Sequence, residues 1–276
     1  MRKYIVSDYL DELNKYNLVK ETYQINDILN RSVEYFSYNS KDIIKNTMFI
    51  CKGAAFKEEY LLSSIKLGTF IYISEKKYNT DVPCVIVNNI RDALAVLSRM
   101  YFNYPDQKLN IVGITGTKGK TTTLYYIKSI FREYLNKDIA YISTIDTFDG
   151  KRRYESVLST PESYELYKDF RNIVDSNMQE VVMEASSQAL KYNRIGESKF
   201  NISLFLNIGQ DHISDIEHPN FEDYFHSKLK IFSKSKATCI NIDDEHSKEI
   251  LSEAHKYIEE DNIFTYSMSD SNADIY

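Results

Sequence analysis

Between Leu109 and Thr123 the sequence sets an apolar run, a glycine-rich turn and the triplet Gly119-Lys120-Thr121 in that order, and a helix-like segment continues to about Leu135. Strand, loop and helix in this succession can hold phosphate. Glycines let the backbone N–H groups curl around phosphate oxygens, and the helix N-terminus adds a partial positive charge. Lys120 would reach the β/γ-phosphates, and the Thr121 hydroxyl would sit on Mg2+. The common spacing wants a glycine five residues before Gly119, where this chain has Ile114; its glycines are Gly113 and Gly116. The competing reading is an ordinary strand-to-helix turn. A Gly-Lys-Thr step in strand–turn–helix context favours nucleotide binding over it.

Three further places carry chemistry. Glu180 to Ala185 reads as an apolar strand with Glu184 near its end. In a phosphate-loop protein an acid there commonly holds Mg2+; alone, it would be a solvated strand-end carboxylate. Asp211-His212 follows the apolar run Ser203 to Ile208. His212 is a candidate ligand or acid/base, set against a purely structural histidine. Lys228 falls on one helix face with Tyr224 and Phe232, one turn apart. Beside two aromatics, a lysine reads from the residues alone as a surface side chain that snorkels its ammonium into water.

These residues need a frame, and the composition allows one. The chain has 276 residues, 43% of them hydrophobic and 27% charged, as in a globular protein of one large or two ordinary domains. Its net charge of −6 argues against general nucleic-acid binding, which favours a basic face. Cys51, Cys84 and Cys239 lack metal-ligand spacing and read as buried free thiols. No signal peptide or membrane span is visible, so a cytoplasmic protein is expected.

Residues 1 to about 30 read as one or two helical pieces. Strands are expected at Thr47–Cys51, Thr69–Ile73 and Val85–Val87, with helices at Glu58–Leu67 and from Ala93 to Tyr101. This alternation makes a small α/β domain over residues 1–105, with a linker around Tyr104 to Gln107. In residues 106–276, strands are expected after the loop helix at Ile139–Ser143, Glu180–Ala185, Ile202–Ile208, Thr238–Ile242 and Ile263–Tyr266. Helices are expected at Glu162–Ser176, Phe221–Phe232 and Asp244–Glu259. Short apolar runs fit buried parallel strands of a mainly parallel, doubly wound sheet, whose ligand lies beyond the strands' carboxyl ends.

Taken together, Thr115 to Thr123, Ser159-Thr160-Pro161-Glu162, Glu184 to Leu190 with Arg194, Asp211-His212 and Tyr224 to Phe232 resemble the Mur ligase family in order and spacing. Within that family they resemble the members that extend UDP-MurNAc-L-Ala-D-Glu by a diamino acid. Asn39-Ser40-Lys41 is similar to the family's Asp-Ser-Arg, and Phe49 to Gly53 to its Phe-Val-x-Lys-Gly. The resemblance implies an ATP-dependent, ADP-forming ligase of peptidoglycan precursor synthesis. ATP phosphorylates the glutamate carboxylate, the amine of the diamino acid attacks the acyl phosphate, and phosphate leaves. It implies ATP and Mg2+ as cofactors, with Gly116, Thr117, Lys118, Gly119, Lys120, Thr121 and Thr122 at the nucleotide. Thr121 and Glu184 would hold one Mg2+, and His212 with a carbamylated Lys228 would serve a second. Lys120, Lys228 and His212 are the implied catalytic groups. Ser159, Thr160, Ser186 and Arg194 would hold the UDP-sugar peptide, with Ser40 on the uridine side in the first domain. A cytoplasmic monomer with no nucleic-acid or membrane partner is expected.

The chain departs from the family in places. Ser159 stands where many relatives have Thr, Gln188 replaces a common His and takes no role, and Asn39 and Lys41 replace Asp and Arg. The resemblance places Tyr276 inside the central domain, so an incomplete chain without the carboxy-terminal amino-acid-binding domain is expected, one that does not complete ligation alone. Two alternatives stand beside this reading: a Mur-like ligase with another acceptor, such as a folylpolyglutamate-synthetase-like enzyme, and a non-catalytic module that holds nucleotide or UDP-sugar.

Overall fold

The computed structural model describes residues 3–53, 55–211, 213–214 and 217–276. The chain divides into two compact units, Met1–Tyr104 and Pro105–Tyr276. In the first, helix α1 (Val6–Lys15) is followed by strands β1 (Val19–Tyr23), β2 (Tyr35–Ser37) and β3 (Thr47–Ile50). Helix α2 (Glu58–Leu67), strands β4 (Thr69–Ser74) and β5 (Cys84–Val87) and helix α3 (Ile90–Tyr101) complete it. The strands lie in the order β1-β5-β4-β3-β2. All pairs are parallel except β1 with β5. Every residue of β3, β4 and β5 is buried, as expected of parallel strands covered on both faces.

Local chemistry explains where these elements stop and start. Gly68 closes α2 at φ +133°, where a Cβ would come within 2.7 Å of the Ile44 carbonyl oxygen, so only glycine fits the turn. The Asn89 side chain accepts from the amides of Arg91 and Asp92, which starts α3 at Ile90, three residues earlier than the sequence suggests. The helical reading of residues 1–30 holds for α1 and for a short 3-10 turn at Asn26–Ile28, but not for the stretch between them. Asn17, at φ +55°, ends the first helical piece, and Val19–Tyr23 crosses back as a largely exposed antiparallel edge strand. Its Lys20 and Glu21 hide the strand from a hydrophobicity reading, but charges suit an edge.

The second unit carries β6 (Asn110–Thr115), α4 (Lys120–Leu135), β7 (Ala140–Ile142), β8 (Asp146–Phe148), β9 (Arg153–Glu155), α5 (Ser163–Asp175) and β10 (Glu180–Glu184). It continues through α6 (Ser187–Lys191), β11 (Ile202–Phe205), α7 (Phe221–Leu229), β12 (Thr238–Asn241), α8 (Ser247–Ala254) and β13 (Ile263–Tyr266). Its eight-stranded sheet runs β13-β12-β11-β6-β10-β7-β8-β9. Pairing is parallel from β13 to β7 and antiparallel at β8 and β9. This is the mainly parallel α/β sheet expected, with an added antiparallel edge that three-residue strands do not announce in sequence. Asp146 anchors that edge: it accepts from the hydroxyls of Tyr125 and Tyr141 and from Arg153. Chain direction across the sheet reverses at β6, since α4 leads toward β7 on one side and α6 toward β11 on the other. A crevice therefore opens at the carboxyl ends of β6, β10 and β11, the usual ligand position in such sheets. Among the described residues no helix is long and apolar enough to cross a membrane.

Under the β8–β9 edge, α5 buries Asp169, whose Oδ1 accepts from the Tyr154 hydroxyl at 2.7 Å while Oδ2 has no hydrogen-bond partner. Burial pushes its carboxyl up to about 7, against the pull of the Tyr154 hydroxyl. A folded-state value above the unfolded one means that the native state holds the extra proton between about 4 and 7, so stability falls as pH rises through that window. Asp169→Asn keeps the acceptor for Tyr154 and removes the charge. It should raise the melting temperature at pH 8 by a few degrees, on the order of 1 kcal/mol, and change it little at pH 4. Thermal melts at the two pH values check this; an equal shift at both would disprove it.

Candidate functional site

The turn after β6 is Gly116 to Gly119, and α4 begins at Lys120. Ile114, which occupies the place of the usual first glycine, is a fully buried strand residue; the turn here is made by Gly116 at φ +155° and Gly119 at φ +85°. A Cβ on Gly116 would press on Leu206 at 3.0 Å. The next strand over supplies a brace. The Asn207 side chain accepts from the amides of Thr117 at 3.0 Å and Lys118 at 2.9 Å, and its own amide donates to the Lys118 carbonyl at 3.1 Å. The Thr117 hydroxyl accepts from the Gly209 amide at 3.0 Å and from the Tyr224 hydroxyl at 3.2 Å. Lys118 reaches Asp211 at 2.6 Å. The loop is thus bound to the segment after β11 along its length. Thr122 is exposed on the first turn of α4.

Glu184 ends β10 next to this loop because β10 pairs with β6 in a register that sets Glu184 beside Ile114. Its carboxylate is fully buried, not solvated. Oε1 accepts from the Thr121 hydroxyl at 2.7 Å and the Thr144 amide at 2.8 Å, and Oε2 from the Thr144 hydroxyl at 2.9 Å. With that hydrogen committed, the Thr144 hydroxyl oxygen accepts from the Ser159 hydroxyl at 2.8 Å. Hydroxyl, carboxylate and phosphate-loop turn therefore meet at one point. Among the described residues no group of three His, Cys, Asp or Glu could hold a metal. One carboxylate and one hydroxyl fit Mg2+, which keeps waters and takes its other ligands from substrate phosphates.

Lys228 is not on the surface. Its side chain is 1% exposed, because the face shared with Tyr224 and Phe232 points inward, and all three are buried. The Tyr224 ring faces the ammonium, with Nζ 4.6 Å from the ring centroid. Its Nζ donates to the Gly116 carbonyl at 2.9 Å, the same oxygen that Lys120 Nζ reaches at 2.8 Å. Burial lowers the Lys228 ammonium well below its usual range, and the neighbouring Lys120 charge lowers it further. Lys120 is also lowered, by burial first, with Glu184 pulling the other way.

Both lysines open on a cavity of about 170 Å³, lined also by Ser159, Ser186 and Arg194. Thr160 lies just behind: its hydroxyl donates to the Glu184 carbonyl at 2.8 Å and accepts from the Ser186 amide at 3.0 Å. Arg194 is nearly buried, bridging the Thr160 carbonyl at 3.1 Å and Glu162 at 3.1 Å. Ser186 caps α6 by accepting from the Ala189 amide. Lys120, Lys228, Ser159, Thr160, Ser186 and Arg194 are thus brought together around the Thr121–Glu184 contact. Ser40 stands in the first unit, in a turn after β2, and His212 lies outside the described residues. Sequence reasoning passed over Asn207 and Thr144, single polar residues just beyond strands; Gln188, to which it gave no role, lines the cavity.

A parallel sheet whose first strand runs through a glycine turn into a lysine-headed helix, with a buried acid on the adjacent strand, defines an α/β phosphate-loop protein. Residues 114–276 match the Mur ligase middle domain, and the chain belongs to the Mur ligase family. It is similar to the UDP-N-acetylmuramoyl-L-alanyl-D-glutamate--L-lysine ligase of Enterococcus faecalis, 45% identical over 76% of this chain and 42% of that protein. It is also similar to the UDP-N-acetylmuramyl-tripeptide synthetase of Lactobacillus delbrueckii subsp. bulgaricus, 36% identical over 92% and 50%. The solved structure of a UDP-N-acetylmuramoyl-L-alanyl-D-glutamate--2,6-diaminopimelate ligase shares the fold at a TM-score of 0.79 and 20% identity, covering 99% of this chain and 54% of that one. The chain spans about half the length of the curated relatives it matches.

The buried lysine has a measurable cost. With its folded-state value lowered below the ordinary 10.5, the unfolded chain holds a proton that the native state releases as pH rises, so stability relative to an uncharged variant increases toward pH 10. Lys228→Met should therefore be more stable than the parent at pH 7, by roughly 1–4 kcal/mol, with the gap narrowing as pH approaches 10. Denaturant unfolding at pH 7 and pH 9.5 measures it; a gap that widens would contradict the assignment.

Proposed function

We propose that this chain is the nucleotide- and muramoyl-peptide-binding portion of an ATP-dependent ligase that adds a diamino acid to UDP-MurNAc-L-Ala-D-Glu. The observation that carries the reading is the meeting of Thr121 with Glu184 beside a cavity that three basic side chains enter. L-lysine, in the names of relatives at 45% and 39% identity, is the amino acid to test first.

In this reading the loop amides and the α4 N-terminus cradle the ATP phosphates, and Lys120 swings from the Gly116 carbonyl to the γ-phosphoryl oxygens, offsetting charge as the group moves to the glutamate carboxylate. Thr121 and Glu184 hold Mg2+, which neutralises phosphate oxygens when bound. Arg194 and the hydroxyls of Ser159, Thr160 and Ser186 hold the sugar peptide, and Ser40 serves the uridine side. A lowered proton affinity favours the neutral amine, which adds to CO2 and releases one proton to give a carbamate anion. Lys228 is proposed to carry that modification, and His212 is proposed to serve the same metal, which both would help to hold. Asn207 sets the ligand-free loop, and its removal frees two loop amides from their brace.

Calorimetric titration of UDP-MurNAc-L-Ala-D-Glu, with UDP-MurNAc-L-Ala as control, tests the reading. Saturable binding should weaken at least tenfold without the glutamate and again on Arg194→Ala, about 1.4 kcal/mol for each factor of ten. Absence of binding by a folded chain would overturn it. Titration of ATP with Mg2+ should show Glu184→Gln weakening binding through the metal, and Asn207→Ala changing nucleotide affinity while leaving muramoyl-peptide affinity within twofold.

A further inference from the structure

Behind the cavity lies a hydrogen-bonded chain that none of the roles above uses. Ser187, the first residue of α6, lines the cavity and is nearly buried. His218 is fully buried, and its Nε2 lies 2.9 Å from the Ser187 Oγ. Its Nδ1 lies 2.6 Å from Asp223 Oδ2, in the first turn of α7. Lys191 pairs with the same carboxylate oxygen at 2.7 Å and also reaches the Glu217 carbonyl at 3.3 Å. Tyr224 packs edge-on against the imidazole, with centroids 5.2 Å apart, and Asn220 holds the Asp223 amide at 2.8 Å. His218 and Asp223 are each held from a second side, which fixes the ring that faces Ser187.

The direction of the hydrogens follows from the chemistry of the groups. Burial acts to raise the Asp223 carboxyl, but its bonds to Lys191 and His218 outweigh burial and leave it lowered. It is therefore a carboxylate, which has no proton to give, so the Nδ1 of His218 must donate. In the Nδ1–H tautomer of the imidazole, Nε2 carries a lone pair. That lone pair can only accept, and the donor it faces is the Ser187 hydroxyl. With its hydrogen turned inward, Ser187 offers the cavity oxygen lone pairs alone.

We infer that Asp223 and His218 are positioning residues that hold the Ser187 hydroxyl as a hydrogen-bond acceptor, and that Ser187 takes an N–H group of the bound ligand. The basic side of the cavity wall fits this division of labour. Lys120, Lys228 and Arg194 are donors suited to phosphate and carboxylate oxygens, and Ser187, with Gln188 and Glu217 on the same wall, offers acceptors for nitrogen. The inference rests on the proposed muramoyl-peptide site for the identity of the ligand. It names the shared chemistry of two sources: a peptide amide of the UDP-muramoyl dipeptide and the amine of the incoming amino acid. The same three residue types in this order also make a nucleophilic relay, and the test separates the two.

Nitrogen-15 NMR of the imidazoles, with His218→Gln to assign the signal, should give the Nδ1–H tautomer for His218 with an unprotonated, hydrogen-bonded Nε2. A protonated Nε2 would overturn the inference whatever the ligand proves to be. This readout also stands if UDP-MurNAc-L-Ala-D-Glu fails to bind, which would count against the proposed function alone. Where that ligand binds, Ser187→Ala should weaken it about tenfold with ATP affinity unchanged, assigning the contact to a peptide amide. His218→Leu should match it, and His218→Gln, whose amide oxygen can accept in place of Nε2, should recover most of the loss. Unchanged dipeptide binding with a loss confined to the amino-acid KM of the full-length enzyme would assign the contact to the amine. Unchanged values for both would refute a ligand contact. Covalent labelling of Ser187 by a fluorophosphonate, abolished in His218→Leu, would replace the acceptor role with a nucleophilic one.

Discussion

The register between β10 and β6 is the constraint on which the site depends. Pairing Glu184 with Ile114 brings a strand-end carboxylate level with the beginning of the loop, and pairing Phe205 with Thr115 on the other side of β6 brings Asn207 level with its middle. A slip of one residue in either ladder would turn the strand's side chains to the opposite face, taking Glu184 from Thr121 and Asn207 from the loop amides. The register is protected by what lies beneath it. Ile114, Leu124, Tyr141, Val182 and Leu206 form one apolar cluster under the loop, and Gly113 lets the Phe200 ring lie against β6 where any Cβ would sit 2.5 Å from it. Close packing below thus fixes polar geometry above.

That polar geometry is costly. Burying Lys228 and Lys120 on one carbonyl oxygen places two cations in a low-dielectric wall, where their mutual repulsion is only partly screened. Glu184 is buried as well, yet it is satisfied by hydroxyls and an amide and, among the described residues, has no cation in hydrogen-bonding contact. A fold selected only for stability would pair these charges or replace them with apolar side chains. Their separation around a cavity is the arrangement of groups kept available for a ligand that carries its own charge.

How much of this can be read without coordinates depends on the range of the forces concerned. The mainly parallel α/β sheet is legible because short apolar runs separated by amphipathic segments have few other solutions, and α2 and β13 fall where hydrophobic spacing and Gly68 put them. The phosphate-loop turn is legible because its chemistry needs adjacent residues. Elements whose cause is local but polar are less so: β1 is an edge with charged residues, and β8 and β9 are three-residue strands pinned by Asp146. Lys228 is the most instructive case. Its helical face is correctly inferred from spacing, but depth is not a property of spacing. A loop more than a hundred residues earlier takes the ammonium on its Gly116 carbonyl, and the Tyr224 ring that suggested a solvated amine lies against it in the interior instead.

The same distinction explains why Asn207, Thr144 and the pair His218 and Asp223 carry no sequence signal. Each acts through hydrogen bonds to partners distant in sequence, so nothing in the neighbouring residues marks it. Asn207 and Thr144 share a position, the second residue beyond the carboxyl end of a sheet strand. In an open parallel sheet that position faces the crevice whatever the residue type, so a polar side chain there has only the crevice or solvent to bond to. His218 and Asp223 instead lie outside the strands and reach the site only through α6. Topology therefore points to the first pair once the strands are known, while the second pair becomes visible only when the packing of α7 on α6 is seen.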